Sequence, residues 1–429
     1  SYMPDAFIFA ILLTALTFAL AFLVTEASPE QAITAWGNGF WKLLTFAAQM
    51  AMILVTGLVL AHTSAVQSGI KSIVEWAKTP VQAYALVTVV SSLAALLSWG
   101  FCLIIGAVMA RETANSCRRR GITVHYPLVV AAAYSGFVIW HQGLSGSIPL
   151  KISETKHFLV DEMGVVLLSE TLMTFQNITI ALVVLITLPF VIVLMRPANS
   201  ECITIKKEII PEELPAAETD QERTPASVLN NSWILNLFFA GCALVYLSFF
   251  FLGKVDQSAF NIIILTFFTA GMLLTRSPVH YMELAMAEGR SVTAILLQYP
   301  FYAGIMGLMM GTGLVEVFSN FFVSISTAET LPFWGMISGG IVNMFVPSGG
   351  GQWAVQGPVM IEAAKALGAD MQRVAMGVAL GDQWTNMLQP FWAIPVLAIA
   401  GLQVRDIMGY TAVVFLWTGL IFGLGLLYL

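Results

Sequence analysis

Apolar residues run on for about twenty positions at a time through most of this chain, and polar residues gather in the short stretches between. A helix needs about 20 apolar residues to cross a hydrocarbon layer. Segments 5–25, 36–62, 126–150, 174–195, 232–253, 258–276, 292–314, 374–400 and 405–429 meet that length, so nine full spans are expected. Phe7 to Val24 reads as the first of them rather than as a signal peptide, because no basic region precedes it and further spans follow. Two more stretches, 80–110 and 331–367, are apolar but broken near the middle, at Ser98-Trp99-Gly100 and at Pro347-Ser348-Gly349-Gly350-Gly351. Each reads as a re-entrant hairpin that enters the membrane, turns and leaves by the same side. The segments before them, 63–79 and 315–330, read as lying flat at the interface.

The order of elements repeats. Residues 1–195 form one half, with hairpin 80–110 and a broken span 126–150. Residues 232–429 form the other, with an additional connecting helix, hairpin 331–367 and a broken span 374–400. The broken spans run from Ser135 to Pro149 and from Gly381 to Pro395, are interrupted by polar residues, Gly or Pro, and both end in Ile-Pro. Paired interruptions of this kind point to a transporter binding site between inverted repeats. Segment 196–231, rich in Pro, Glu, Ala and Thr, reads as a solvated cytoplasmic linker between the halves.

Composition sharpens the class. Of 429 residues 58% are hydrophobic and 10% charged, with a mean hydropathy of +0.82, where a soluble chain carries roughly a quarter charged residues. This is an all-α polytopic membrane protein with the lipid bilayer as its solvent. The net charge of −6 says little about partners, since the charges cluster in connecting segments, and no nucleic-acid partner is expected. Arg111, Arg118, Arg119 and Arg120, Lys71 and Lys78, Arg196, Lys206, Lys207 and Arg223, and Arg276 and Arg290 mark cytoplasmic loops. Nine spans starting inside satisfy all of them and place the N-terminus in the cytoplasm and the C-terminus outside. The four cysteines, Cys102, Cys117, Cys202 and Cys242, form no CxxC pair, so neither a disulfide framework nor a metal site is expected.

Candidate chemistry lies at the breaks. Unsatisfied backbone in hydrocarbon costs several kcal/mol per group, so a break survives where protein or trapped water supplies partners. Pro347 ends one half-helix. The three glycines after Ser348 are expected to turn the chain with positive φ and to let a ligand approach. A helix starting near Gln352 would then offer free N–H groups to a carboxylate. A glycine turn that merely permits tight packing is the plainer alternative. Asn343, Ser348, Gly349, Gly350, Gly351 and Gln352 are the substrate-binding candidates of this tip, and Ser98, Trp99 and Gly100 those of the other. Hydroxyls and freed carbonyls at Ser145 and Ser147, with Thr385, Asn386 and Gln389 opposite, are candidates to hold a cation or a substrate oxygen. Asp382 is an intramembrane carboxylate, a candidate to carry H⁺ or to bind Na⁺; its alternative is an ion pair with Arg373 or Arg405 near a membrane end. His141 lies in the opposing break, as a relay or as a hydrogen-bonded structural residue. Tyr299, Tyr302 and the tryptophans read as belt or packing aromatics. No GxxxxGK[ST], HExxH or GxSxG occurs, so neither ATP-driven transport by this chain alone nor an enzyme is expected, and no cofactor beyond a coupled Na⁺ or H⁺.

Asn343 to Met360, Gly381 to Asn386 and Gln389 to Trp392 closely resemble the short-chain fatty acid transporter family, and the likeness extends to Lys78–Gln82, Ser98–Phe101, Gln298–Ile305 and Val404–Tyr410. The resemblance implies uptake of short-chain monocarboxylates such as acetoacetate or butyrate by a bacterial inner-membrane carrier, within the broader ion-transporter group. It further implies a homodimer whose scaffold carries a mobile domain of hairpins and broken spans moving like an elevator. The carboxylate is expected against Ser348 to Gly351, Gln352 and Asn386, and the alkyl tail on Trp99, Phe345 or Trp384. A Na⁺/H⁺ antiporter using Asp382, and a channel lined by the re-entrant loops, are the alternatives.

Overall fold

A computed structural model of the chain describes residues 6–205, 224–255, 257–287 and 289–429, and every regular element among them is helical. The centre of the expected linker, 206–223 with Lys206, Lys207 and Arg223, lies outside the described residues.

The first half comprises α1 (Ala6–Val24), α2 (Pro29–Gly39), α3 (Leu44–His62), α4 (Ser64–Val74), α5 (Pro80–Leu97), α6 (Trp99–Arg119), α7 (Tyr126–Ser135), a 3₁₀ turn Gly136–Gln142, α8 (Ser147–Ile152), α9 (Val160–Met163) and α10 (Phe175–Leu194). After α11 (Pro225–Asn230) come α12 (Trp233–Phe251), α13 (Ala259–Leu274), α14 (Pro278–Ala287), α15 (Gly289–Gly311), α16 (Leu314–Ser324) and α17 (Leu331–Asn343). The chain closes with α18 (Gly349–Leu367), α19 (Met371–Thr385), α20 (Ala393–Ala400) and α21 (Val404–Tyr428).

Among the described residues seven helices are long and apolar enough to cross a membrane, or eight if the pair α15 and α16, bent by 61°, is one span. The difference from nine has local causes. Helix α13 spans 16 residues rather than about 20. Segment 374–400 is split into α19 and α20. Helix α5 meets the length test although the sequence reads it as a hairpin arm. Helices on the outside present large apolar residues, Phe190, Leu194, Phe238 and Leu416 among them, as contact with lipid requires once the backbone is satisfied within each helix.

The helices sort into two groups. Helices α1 to α3 pack with α13 and α15, and α12 and α14 join them. Helices α5 to α8 pack with one another and, through the breaks, with α17 to α20. Helices α10 and α21, expected in the scaffold, make their main contacts with this second group, on α5, α7 and α19. Short helices α4 and α16 bridge the groups, each just before a hairpin. The α2–α15 crossing is close: a Cβ on Gly39 would lie 2.6 Å from Gly307 Cα, so the helices approach only because both positions lack side chains.

Candidate functional site

Both hairpins turn on a serine. Ser98 and Ser348 hold extended backbones, with φ −158° and −151°, and cap the following helices. Ser98 Oγ accepts the Phe101 amide at 3.5 Å and Ser348 Oγ the Gly351 amide at 3.3 Å. The glycines are not a left-handed turn. None of Gly349, Gly350 and Gly351 has positive φ, and all three lie in the first turn of α18, which begins at Gly349 rather than near Gln352. Pro347 and Ser348 make the turn, and the glycines serve close approach. A Cβ on Gly349 would sit 2.9 Å from His141 Nε2 and 3.3 Å from Ser147 Cβ, while beside Gly350 there is open space.

The first break lies between the two tips. Trp99 N donates to Ser145 Oγ at 2.8 Å, and Leu144 N to Leu96 O at 2.8 Å, which ties Gly143–Ser147 to the Ser98 tip. Gly143 carries no side chain because a Cβ there would fall 2.3 Å from Leu96 O. On its other flank the same break meets the Ser348 tip through His141 and Ser147.

Asp382 meets His141. Its Oδ1 lies 3.1 Å from His141 Nε2 with both side chains buried. Arg373, weighed as a partner, sends Nη2 to Leu426 O at 3.0 Å. The Gln383 side chain holds the break from beside this pair, its Oε1 accepting His141 N at 2.8 Å and its Nε2 donating to Gln142 Oε1 at 3.2 Å. Asn343 ties hairpin to broken span: its Nδ2 reaches Asp382 O at 2.7 Å, Thr385 Oγ1 at 2.9 Å and Asn386 Oδ1 at 2.8 Å. Gln389 Nε2 adds a bond to Asn386 Oδ1 at 2.6 Å, and Tyr134 OH donates to Asn386 O at 2.6 Å. Asp382 Oδ2, Asn343 Oδ1, Gln352 Oε1 and Gln389 Oε1 remain buried without a hydrogen-bond partner. Buried polar atoms are nearly always paired, and three of these oxygens, on Asp382, Asn343 and Gln389, share one network.

Against this polar side stands an aromatic one. The Trp140 and His141 rings lie 3.7 Å apart. Phe137 stacks on Trp140 at 5.7 Å, Trp392 meets Trp99 at 5.0 Å, and Phe46 lies within 6.4 Å of Trp99, Tyr299, Phe391 and Trp392. Tyr299 stacks on Phe391 at 4.1 Å and Tyr302 meets that ring edge-on at 5.1 Å. Tyr299 and Tyr302 are fully buried here rather than in an interfacial belt.

Thus Ser98, Trp99, Gly100, Ser145, Ser147, His141, Ser348 to Gly351 and Asp382 converge, with Asn343, Thr385, Asn386 and Gln389 behind them. Two candidates turn elsewhere. Trp384 stacks on Phe415 at 4.2 Å and donates Nε1 to Phe415 O, facing α21. Gln352 points into its own hairpin, donating to Gly339 O and Gln356 Oε1, both at 2.9 Å. Sequence reasoning missed Gln383, Tyr134 and the Trp140–Trp392 wall. The glutamine lies within the second break, so its position was a signal; the aromatic wall depends on a contact between halves that no local pattern carries. No group of three or more His, Cys, Asp or Glu placed to hold a metal occurs among the described residues.

The profile of the short chain fatty acid transporter family matches residues 1–429. The "Putative short-chain fatty acid transporter" of Escherichia coli (strain K12) is 41% identical over 426 residues, 99% of this chain and 96% of that protein. Its namesake in Haemophilus influenzae is 39% identical over 436 residues, covering 100% and 97%. Among solved structures, the Alcanivorax borkumensis YdaH transporter aligns over 98% of each chain with a TM-score of 0.43 and 14% identity. By its match along the full length, and by relatives at this identity, the chain belongs to the short-chain fatty acid transporter family.

Proposed function

We propose that this transporter imports short-chain monocarboxylates across a bacterial inner membrane, coupled to a cation and by elevator-like alternating access. The observation that carries the reading is the convergence of two serine-capped tips and two broken spans on the buried Asp382–His141 contact. The N–H groups at the start of α18 favour a carboxylate. His141, Ser147 and the Ser348 hydroxyl lie beside them, and the Trp99–Trp140 side offers an apolar surface for the chain of the acid. A coupled cation is needed because the inside-negative potential opposes anion entry by about 2.3 kcal/mol per charge per 100 mV. Asp382 and the unpaired oxygens of Asn343 and Gln389 are its seat, whether it is Na⁺ or H⁺.

In this reading the hairpins α5–α6 and α17–α18 re-enter the membrane, the halves are inverted repeats, the N-terminus is cytoplasmic and the C-terminus periplasmic. Hairpins and broken spans, with α10 and α21, move against a scaffold of α1 to α3 and α12 to α15, which also supplies the contact of a homodimer.

The test is uptake of labelled butyrate and acetoacetate into proteoliposomes with pH and Na⁺ gradients imposed separately. Saturable uptake driven by one gradient is expected, and Ser348→Ala and Asn386→Ala should each weaken it. Na⁺-driven pH change without carboxylate would establish antiport through Asp382 instead. A current that no acid saturates would establish a channel.

A further inference from the structure

The aromatic side of the site has a chemistry of its own. Tyr299 OH, Tyr302 OH, Trp140 Nε1 and Trp392 Nε1 are all buried hydrogen-bond donors without an acceptor. Each residue is at most 3% exposed. They belong to one ring cluster: Trp140 and Trp392 lie 6.5 Å apart, and Tyr299 and Tyr302 both pack on Phe391, next to Trp392 at 5.0 Å. An indole N–H is a donor only, and a phenol beside it supplies a second O–H. An unmatched buried donor forfeits its bond to water without replacement, so four in one cluster are unexpected unless something supplies acceptors.

A plain alkyl chain supplies none. The rings therefore offer apolar contact to an acyl chain, while their donors call for an oxygen on it. The carboxylate itself is accounted for by the α18 terminus, which reaches the cluster through His141, whose ring lies tilted against Trp140 at 3.7 Å. We infer that Tyr299, Tyr302, Trp140 and Trp392 form a donor-lined acyl seat that selects short monocarboxylates carrying an oxygen acceptor on the chain, a hydroxyl or a ketone, over plain alkyl acids of equal length. The inference rests on the carboxylate-carrier reading and names the determinant of specificity within that site. Phe46, Tyr299 and Tyr302 come from α3 and α15, whereas Trp140 and Trp392 come from the broken spans, so the seat is assembled only when the two helix groups are together.

The experiment is competition against labelled butyrate uptake by unlabelled 3-hydroxybutyrate, 3-oxobutyrate, butyrate and pentanoate in proteoliposomes of the full chain. Wild type should be inhibited by the hydroxy and oxo acids at concentrations about tenfold or more below those needed for butyrate, since a site built to bond an oxygen rejects the analogue lacking it. Tyr299→Phe keeps the ring and removes its hydroxyl, Trp392→Phe exchanges the indole for a smaller ring without a donor, and each should bring that ratio toward one. Equal inhibition by all four acids in wild type would overturn the inference, as would a ratio unchanged in both variants. No uptake of any acid would instead remove the carrier reading beneath it. If a variant fails to fold, the wild-type series still decides.

Discussion

At Gly349 the absence of a side chain matters more than the freedom of the backbone. The position is helical, and what glycine provides is passage for the α18 terminus against the imidazole that meets Asp382. Gly349→Ala places a methyl carbon 2.9 Å from His141 Nε2, tighter than van der Waals contact allows, and a buried ring backed by Trp140 at 3.7 Å has little room to retreat. Overpacking of this kind costs about 1–3 kcal/mol, and here it is absorbed by displacing His141 from Asp382. Gradient-driven uptake should fall roughly tenfold or more while the thermal midpoint shifts by only a few degrees. Gly350→Ala, which faces open space, is the matched control and should transport far better. Equal loss in both would mean that the glycines serve the tip's backbone rather than the approach to His141. The residue scale was partly legible: Asp382 and His141 stood out as ionisable groups inside apolar breaks, yet nothing local says that they touch across 241 residues of chain.

Among the elements, the breaks and tips were the most legible features. Ser98 and Ser348 stand at the ends of apolar runs, before Trp99-Gly100 and Gly349-Gly350-Gly351, and both became N-caps. The start of α7 carries a second device. His125 Nδ1 accepts Ile203 N at 3.0 Å, Tyr126 N donates to Ile203 O at 2.9 Å, and Tyr84 OH accepts His125 N at 2.7 Å, so the strap leaving α10 is pinned to the entrance of the first broken span. Burial pushes the His125 imidazole down from its ordinary value. A histidine held neutral in the fold stabilises above its unfolded pKa of about 6.5, and that stabilisation is lost as pH falls toward the depressed folded value. Protonation also removes the lone pair that Ile203 N needs. Hydrogen exchange at the Ile203 amide should therefore speed up as pH falls below about 6.5, and His125→Gln should flatten that dependence. An exchange rate at Ile203 that follows only the intrinsic pH dependence of amides would sink the assignment. Nothing in the sequence pattern marks this latch, since His125 and Cys202-Ile203 belong to segments that read separately as a span start and a linker start.

For the whole molecule, the division into two helix groups predicts motion along the surfaces where α3 meets α6 and α15 meets α20. The α3–α6 contact is close: a Cβ on Gly57 would lie 2.8 Å from Ile104 Cγ2. In a background with Cys102, Cys117, Cys202 and Cys242 replaced, the pair Gly57→Cys and Ile104→Cys should form a disulfide under mild oxidation. That cross-link should abolish net uptake, and reduction should restore it. Full transport by the cross-linked protein would rule out sliding along this surface. The sequence by itself determined the membrane class and the positions of the breaks, though not the number of spans, because hydrocarbon demands long apolar helices and tolerates interruption only where partners exist. It likewise singled out the residues at those breaks. Only the tertiary structure decided which breaks face one another, that Trp384 turns to α21, that α10 and α21 side with the hairpins, and that eight aromatic rings from five segments form one wall. The physical reason is range: hydropathy and capping act within a few turns of one helix, whereas these contacts join separate helices tens to hundreds of positions apart, and packing alone selects them.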